Sequence, residues 1–315
     1  ASWDLLPFSL RQLQYLVAVA ELGGFRRAAD ACGVAQPSMS AQIAQVEDAI
    51  GVRIFERGAH GTRVTAAGAP VIDRARAVLV ASRDLSDTAR RHGDPLQGTL
   101  RIGVIPTVCP YLLPEVAPAL RRALPKLHVI WSEEKTRLLL DQVKDLRLDA
   151  AVVALDERVA HLESAAIGDD PFVLAAAPGH SLLKGHAPAS PDVLEGATVF
   201  LLEDGHCFRD QALALCGATG AHEADLKATG LSTLVQMVGS GQGVTLLPQL
   251  ALAVENRRGQ LAVRPFRKPA PMRRLVLAWR KESALARPLQ AVAATLRKAW
   301  PPAPSAQRGT AEPRR

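Results

Sequence analysis

The sequence predicts a multidomain α/β protein, with a winged helix-turn-helix, a linker helix and a two-lobed α/β region in that order. Its 315 residues are about twice the usual length of one domain. Residues 8–65 contain short helical segments broken by glycine, and residues 66–92 form one alanine-rich helical stretch. Residues 98–300 alternate strand-like and helix-like segments, which indicates an α/β fold. The Pro-rich stretch 301–315 is typical of a disordered tail.

The composition is that of an ordinary globular protein, with 48% hydrophobic and 22% charged residues. No apolar run reaches the ~18–20 residues that a membrane span needs. The first residues lack a basic segment ahead of an apolar core, so we expect no secretion signal and a cytoplasmic location. In that compartment, four cysteines indicate reduced thiols and no disulfide scaffold.

The net charge of +7 favours a nucleic-acid partner only weakly, because of how it is distributed. Residues 1–92 hold 11 Arg and no Lys against 9 acidic residues, and the other 223 residues hold 27 basic and 22 acidic residues. A prediction of DNA binding must therefore rest on local pattern.

Such a pattern occurs in the N-terminal region. A first helix is predicted from Ser9 to Leu22 and a second from Phe25 to Cys32, after which Gly33 supplies a tight turn. A third helix has Pro37 in its first turn, where the missing N–H costs nothing. The third helix carries a buried apolar stripe (Met39, Ile43, Val46 and Ile50). Two packed helices joined by a glycine turn describe a helix-turn-helix.

The outer face of the third helix suits hydrogen bonding to base edges, and nearby arginines suit phosphates. The candidate helix residues are Gln36, Pro37, Ser38, Ser40 and Gln42, and the arginines are Arg26, Arg27, Arg53, Arg57 and Arg63. Residues 52–64 read as a β-hairpin wing tipped by His60-Gly61. A small three-helix domain with a solvated polar face remains the alternative on pattern alone.

The linker helix, residues 66–92, is predicted to start after the N-cap residue Thr65. Apolar and small residues recur along it at close to a 3.5-residue period, which is typical of a weak coiled-coil seam (Val71, Ile72, Ala75, Val78, Leu79, Ser82, Leu85 and Ser86). The pattern fits a dimerising helix and a helix packed on its own domain equally well.

Residues 98–300 are predicted to form two α/β lobes. Lobe I comprises residues 98–170 and 273–300, and lobe II comprises residues 171–272. Chain crossovers near 168–172 and 270–275 would put a cleft between the lobes, and small ligands normally bind in such clefts.

The N-terminal motif resembles the helix-turn-helix of LysR-type regulators. Matching positions include Ala28, Ala29, Gln36, Pro37, Ser38, Ser40, Gln42, Ile43, Glu47, Gly51, Phe55 and Arg57. The stretches 65–68 and 241–248 also resemble that family, so the resemblance covers residues 9–300. It implies a bacterial transcription regulator with a periplasmic-binding-protein-like effector domain, assembled as a tetramer (a dimer of dimers). Its implied partners are double-stranded promoter DNA and RNA polymerase, and activation and repression both stay open.

Three further segments, residues 103–115, 133–136 and 202–216, resemble the peroxide-sensing members of that family. The resemblance implies that Cys207 reacts with hydrogen peroxide and that Cys216 resolves the product as a disulfide. It also implies a peroxide pocket (Thr107, Thr136, His206, Asp210 and Arg274). The signal is peroxide itself, so we expect no cofactor, and a cellular thiol reductant would reset the protein.

The other cysteines fit this reading less directly. Cys32 is expected to be a structural residue on a core face. Cys109 departs from the pattern of the 103–115 segment, and both an inert and a competing thiol remain open there. A zinc site is not expected, because His206, Cys207 and Cys216 lack a fourth ligand at a familiar spacing.

The spacing of the two cysteines predicts a conformational switch. If residues 207–216 are helical, nine steps of ~1.5 Å separate the two α-carbons by roughly 13–14 Å. A disulfide needs about 5.5–6 Å, so the segment has to unwind before the bond forms. Two rivals remain: a LysR-type regulator with a metabolite in the cleft, and a thiol peroxidase that turns over at Cys207.

Overall fold

The computed structural model describes residues 6–58, 61–90, 94–185 and 187–301. The chain divides into two compact units, one of residues up to 94 with 144–147, and one of residues 95–143 and 148 onward. Within the described ranges, no helix is both long enough and apolar enough to cross a membrane. The predicted disordered tail beyond Pro301 and the predicted hairpin tip at His60 lie outside those ranges.

The three N-terminal helices form where the sequence predicts them. They are α1 (Leu10–Leu22), α2 (Phe25–Cys32) and α3 (Gln36–Ile50). Ser9 caps α1 through a reciprocal pair of hydrogen bonds with Gln12. Each of the three helices ends at a glycine with a left-handed backbone (Gly23, Gly33 and Gly51). Met39, Ile43 and Val46 are buried, which confirms most of the predicted stripe of α3, while Ile50 is half-buried.

The predicted wing is a two-stranded antiparallel hairpin of β1 (Phe55–Gly58) and β2 (Gly61–Val64). The buried carboxylate of Glu47 joins it to α3 by accepting hydrogen bonds from the backbone N–H groups of Ile54 at 2.7 Å and Phe55 at 3.0 Å. Its other oxygen accepts from the Arg53 guanidinium at 3.1 Å. The orientation of the wing is therefore set by α3.

The linker helix is α4 (Gly68–Arg90). The Thr65 hydroxyl accepts a hydrogen bond from the Gly68 N–H at 2.9 Å, as an N-terminal capping residue does. A side chain at Gly68 would lie 2.5 Å from the Ile54 carbonyl oxygen, so only glycine fits this close approach. Ile72 and Ala75 are buried in the core of the N-terminal unit. The first part of the predicted seam thus packs on its own domain.

The second unit is built on a nine-stranded mixed sheet. Its strands are β3 (Gly98–Val104), β4 (Leu127–Glu133), β5 (Ala150–Ala154), β6 (Glu163–Ala176), β7 (Thr198–Leu202), β8 (His222–Ala228), β9 (Val244–Pro248), β10 (Ala262–Pro265) and β11 (Met272–Trp279). Its helices are α5 (Cys109–Ala123), α6 (Thr136–Lys144), α7 (Cys207–Thr219), α8 (Leu231–Gly239), α9 (Leu252–Glu255) and α10 (Ala286–Lys298). The sheet order is β4-β3-β5-β11-β6-β9-β7-β8, and β10 pairs with β6.

Residues of the second unit form two hydrophobic clusters, the first here called the cluster of lobe I and the second the cluster of lobe II. One contains residues of β3, β5, α5, β11 and α10, and the other contains residues of β7, α8, β9 and the second half of β6. The long strand β6 serves both lobes: residues 163–171 pair with β11, and residues 172–176 pair with β9. The second chain crossing lies between β10 and β11, beside the first, because Pro171 pairs with Met272.

Candidate functional site

The predicted pocket segments meet at the carboxyl ends of parallel strands. β3, β4 and β5 are parallel in lobe I, and Thr107, Thr136 and a turn at residues 157–159 follow their carboxyl ends. In lobe II, β7 is parallel to β8 and β9, and Cys207 follows its carboxyl end. Open α/β sheets bind their ligands at such edges.

Cys207 is the first residue of α7 and is 2% exposed. Although α7 belongs to lobe II, Cys207 lies in the hydrophobic cluster of lobe I. Its thiol is free, and it stands at the positive end of a 13-residue helix, where a negative charge is favoured. The cysteine therefore lies where the two lobes meet.

The structure turns Arg273 inward towards Thr107 and places the predicted Arg274 on the outer face, away from the other predicted pocket residues. Successive residues of β11 alternate between the two faces of the sheet, and this register turns Arg273 inward and Arg274 outward. Arg274 is half exposed and forms an ion pair with Asp169 at 2.8 Å. Arg273 is buried and donates to the Thr107 hydroxyl at 2.6 Å and to the Thr107 carbonyl at 2.9 Å.

The Arg273 guanidinium is held rigidly. Asp170, itself 1% exposed, accepts from it at 3.0 Å and 2.9 Å, and also accepts from the N–H of Leu250 at 2.9 Å. The guanidinium carbon lies 5.6 Å from the ring centroid of Phe208, which directly follows Cys207. This contact links the Arg273–Thr107 pair of lobe I to the start of α7.

Two buried polar atoms of the predicted pocket residues have no hydrogen-bond partner among the described residues. They are the hydroxyl oxygen of Thr136 and the Nε2 of His206. Burial and the positive charge of Lys135 lower the pKa of His206, so its ring is neutral at neutral pH. Unpaired buried polar atoms are costly, so both atoms suit contacts with a small polar molecule.

Asp210 is on the first turn of α7 and is partly exposed. It accepts a hydrogen bond at 3.1 Å from Arg158, a residue of lobe I for which the sequence predicted no role. Arg158 follows β5 in the short turn Glu157–Val159, and its Nε also donates to Asp156 at 3.0 Å. The hydrogen bond to Asp156 raises the pKa of Arg158, and the negative charge of Asp210 contributes to the same shift.

The second cysteine, Cys216, is buried in the cluster of lobe II with a free thiol. Burial and the charge of Glu223 raise the pKa of Cys216, so it stays protonated at neutral pH. Residues 207–216 are continuous helix, which confirms the helical premise of the predicted switch. At ~1.5 Å per residue, the two α-carbons are roughly 13–14 Å apart, too far for a disulfide.

Cys109 is the first residue of α5 and is 8% exposed. Burial and a hydrogen bond to the Glu133 carboxylate raise the pKa of Cys109 to about 12. This side chain is therefore a neutral thiol at physiological pH, which favours the inert alternative. Cys32 is half-buried and packs against the N-terminal core. Within the described residues, no group of His, Cys, Asp and Glu side chains is arranged to hold a metal ion.

The predicted DNA-binding face is mostly exposed. Gln36, Pro37 and Ser38 are exposed on the first turn of α3, and Gln42 is half-buried. The Ser40 hydroxyl is buried and has no partner among the described residues, which argues against a direct contact with DNA.

The arginines around α3 divide by their contacts. Arg26 and Arg63 are exposed, Arg27 donates to the Gly23 carbonyl at 3.3 Å, and Arg53 pairs with Glu47. The side chain of Arg57 lies outside the described part of the chain, although its backbone belongs to β1.

Two family models together match nearly the whole chain. Residues 10–69 match the bacterial regulatory helix-turn-helix protein model of the lysR family, and residues 93–301 match the LysR substrate binding domain.

Individual relatives agree with these matches. A hydrogen peroxide-inducible genes activator of Dickeya chrysanthemi is 41% identical over 278 residues, which cover 88% of this chain and 91% of the relative. A full-length OxyR variant of Pseudomonas aeruginosa superposes with a TM-score of 0.76 at 32% identity, over 93% of this chain and 96% of that structure. An H2O2-bound mutant OxyR of Corynebacterium glutamicum superposes with a TM-score of 0.63 at 31% identity, over 94% of this chain and 95% of that structure.

Proposed function

Because this chain belongs to the LysR family of bacterial transcription regulators and is one of its peroxide-sensing, DNA-binding members, we propose that hydrogen peroxide oxidises Cys207. Cys207 then forms a disulfide with Cys216. The observation that carries this proposal is the position of Cys207, at a helix N-terminus between the two lobes and beside unpaired polar atoms. Both cysteines are free thiols joined by a helix that has to unwind, which makes the disulfide a conformational switch.

The chemistry proceeds in two balanced steps. The Cys207 thiolate attacks one oxygen of the peroxide, so an S–O bond forms and the O–O bond breaks. The leaving hydroxide takes up a proton and becomes water. The Cys216 sulfur then attacks the sulfenic acid, an S–S bond forms, and a second water leaves. The two thiols supply two electrons and become the disulfide.

Each pocket residue has a distinct task. Thr107, oriented by Arg273, and Thr136 hold the peroxide oxygens through their hydroxyl groups. Arg273 also contacts the ring of Phe208, the residue after Cys207 at the N-terminus of α7. Neutral His206 offers its Nε2 to the same small molecule, and Asp210 acts through Arg158.

The output is a change in DNA contacts. In this proposal the protein is a cytoplasmic homotetramer, with α3 in a major groove and the arginines that flank it on phosphates. Exposed Val78 and Leu85 on α4 would form the rest of the dimer seam. RNA polymerase and a cellular thiol reductant are the further partners.

The test is a disulfide map by mass spectrometry, before and after about one equivalent of hydrogen peroxide. We expect a Cys207–Cys216 bond that is absent in Cys207→Ser and unaffected in the control Cys32→Ser. DNA footprints should be taken on the same samples. In variants that form the disulfide, the footprint should differ between the two redox forms, and in Cys207→Ser it should stay the same. Four free thiols after treatment would refute the proposal.

Two outcomes would point to the rival functions. A change in the DNA footprint that a small metabolite still causes in Cys207→Ser would indicate a metabolite sensor. Steady consumption of peroxide in the presence of a thiol reductant, at many turnovers per minute, would indicate a thiol peroxidase.

A further inference from the structure

Arg158 joins the two lobes at the cysteine that is proposed to react. It belongs to the turn after β5 in lobe I, whereas its partner Asp210 is on the first turn of α7 in lobe II. Asp210 is three residues after Cys207, so the ion pair fixes the same helical turn that carries the thiol.

Arg158 is oriented before it meets Asp210. The Asp156 carboxylate accepts from the Arg158 backbone N–H at 2.9 Å and from its side-chain Nε at 3.0 Å. Asp156 is therefore both the cap of the turn and the support of the guanidinium. A guanidinium held in this way loses little side-chain freedom when it binds a second carboxylate.

The other charged groups near the start of α7 are already engaged elsewhere. The buried Arg209 binds Glu223 at 2.6 Å and Asp204 at 2.9 Å, all within lobe II. Arg273 binds Asp170 and Thr107, and its contact with α7 is with the Phe208 ring. Lys135 pairs with Glu203, which precedes α7. Among the ion pairs that α7 itself makes in the described part of the chain, the Arg158–Asp210 pair is thus the one that reaches lobe I.

We propose that Arg158 is a positioning residue for the reaction of Cys207: its ion pair with Asp210 holds the first turn of α7 at the edge of lobe I while Cys207 is reduced. When α7 unwinds to form the disulfide, this pair is lost or rearranged. The pair thus keeps Cys207 at the hydrophobic cluster of lobe I until oxidation. The chemical consequence rests on the proposed function, but the pair itself can be tested on reduced protein without peroxide.

The first measurement is amide hydrogen exchange of reduced, full-length protein. The N–H groups of residues 211–214 donate to the carbonyls of the first turn, so their exchange reports whether that turn opens. Arg158→Gln should speed their exchange about two- to fivefold, the range expected for an ion pair with partly exposed partners. Arg274→Gln, which removes a comparably exposed arginine from its pair with Asp169, is the matched control and should change nothing there.

The second measurement is the rate at which peroxide converts Cys207 to the sulfenic acid in a Cys216→Ser background. Arg158→Gln should slow this rate about two- to fivefold, whereas Arg158→Lys should restore much of the rate. Asp210→Asn should raise the exchange rates of residues 211–214 as much as Arg158→Gln does. The double variant should show no additional increase, because both substitutions remove the same ion pair.

Equal exchange at residues 211–214 in Arg158→Gln and the control would overturn the proposal. So would faster exchange throughout the unit with a lower melting temperature, because that indicates a general structural role. If the unmodified protein forms no sulfenic acid, the proposed function fails, while the exchange data still decide the role of the pair.

Discussion

A single exposed alanine in α7 tests whether the helix has to unwind for the disulfide to form. Ala214 lies between the two cysteines and faces solvent, so Ala214→Gly removes no buried packing. Glycine destabilises a helix interior by about 1 kcal/mol relative to alanine. In the proposed switch only the reduced form keeps this helix. The substitution therefore destabilises the reduced state by the full amount and leaves the oxidised state unaffected.

The expected effect follows from that energy. About 1 kcal/mol changes an equilibrium about fivefold at 25 °C, and for a two-electron couple it shifts the reduction potential by about 20 mV. The potential of the Cys207–Cys216 pair should become more negative, since the oxidised form gains relative stability. The rate of sulfenic acid formation should not change, because Cys207 reacts before the helix opens.

The assay equilibrates the protein with a series of thiol–disulfide buffers and counts disulfides by mass spectrometry. Ala218→Gly is the matched control, an exposed alanine of the same helix that lies beyond Cys216. A shift in both variants would show that all of α7 unwinds, and a shift in Ala214→Gly alone would confine the change to the segment between the cysteines. An unchanged potential in Ala214→Gly would refute the reasoning that the reduced helix has to be lost.

Two other predictions follow from the environment of the site. Arg273→Met should lower the free energy of unfolding by about 3 kcal/mol, because it leaves buried Asp170 without its cation. In a denaturant titration, Arg274→Gln should leave the unfolding midpoint nearly unchanged. An equal loss of unfolding free energy in Arg273→Met and Arg274→Gln would contradict the assignment of Arg273 as the inward residue. Cys109, with its pKa raised to about 12, should resist iodoacetamide at pH 8 while half-buried Cys32 is labelled. Labelling of both at the same rate would show that Cys109 is available to compete for peroxide.

The N-terminal helices could be predicted from sequence because local signals decide them. Glycines end all three helices, and the four-three spacing from Met39 to Val46 defines one buried face. Such signals act over a few residues and need no knowledge of the rest of the chain. Local signals did not decide what the seam of the linker helix packs against, because its residues suit both a second copy of the helix and the helix's own domain.

The inward-facing arginine of β11 could not be identified from sequence because two arginines stand side by side. Which of Arg273 and Arg274 faces inward depends on the register of β11 against β5 and β6, and a shift of one residue reverses the faces. Arg158 had a weak local signal, an Asp two residues before it directly after a strand, which is typical of a capped turn. Its partner Asp210 is 52 residues away, and only the packing of the lobes brings the two together.

In the proposed switch, the contacts around α7 would allow oxidation to change its conformation without breaking up the lobe. Buried Arg209, bound to Glu223 and to the Leu202 carbonyl, ties the first turn to β7 and β8. From residue 211 to 216 the helix is held mainly by apolar packing, with Ala212 and Cys216 as its buried residues. Apolar contacts have no fixed direction and can re-form after a rearrangement, whereas a buried guanidinium needs its carboxylate. In the proposed switch, the disulfide would therefore act on the part of α7 whose packing contacts re-form most easily.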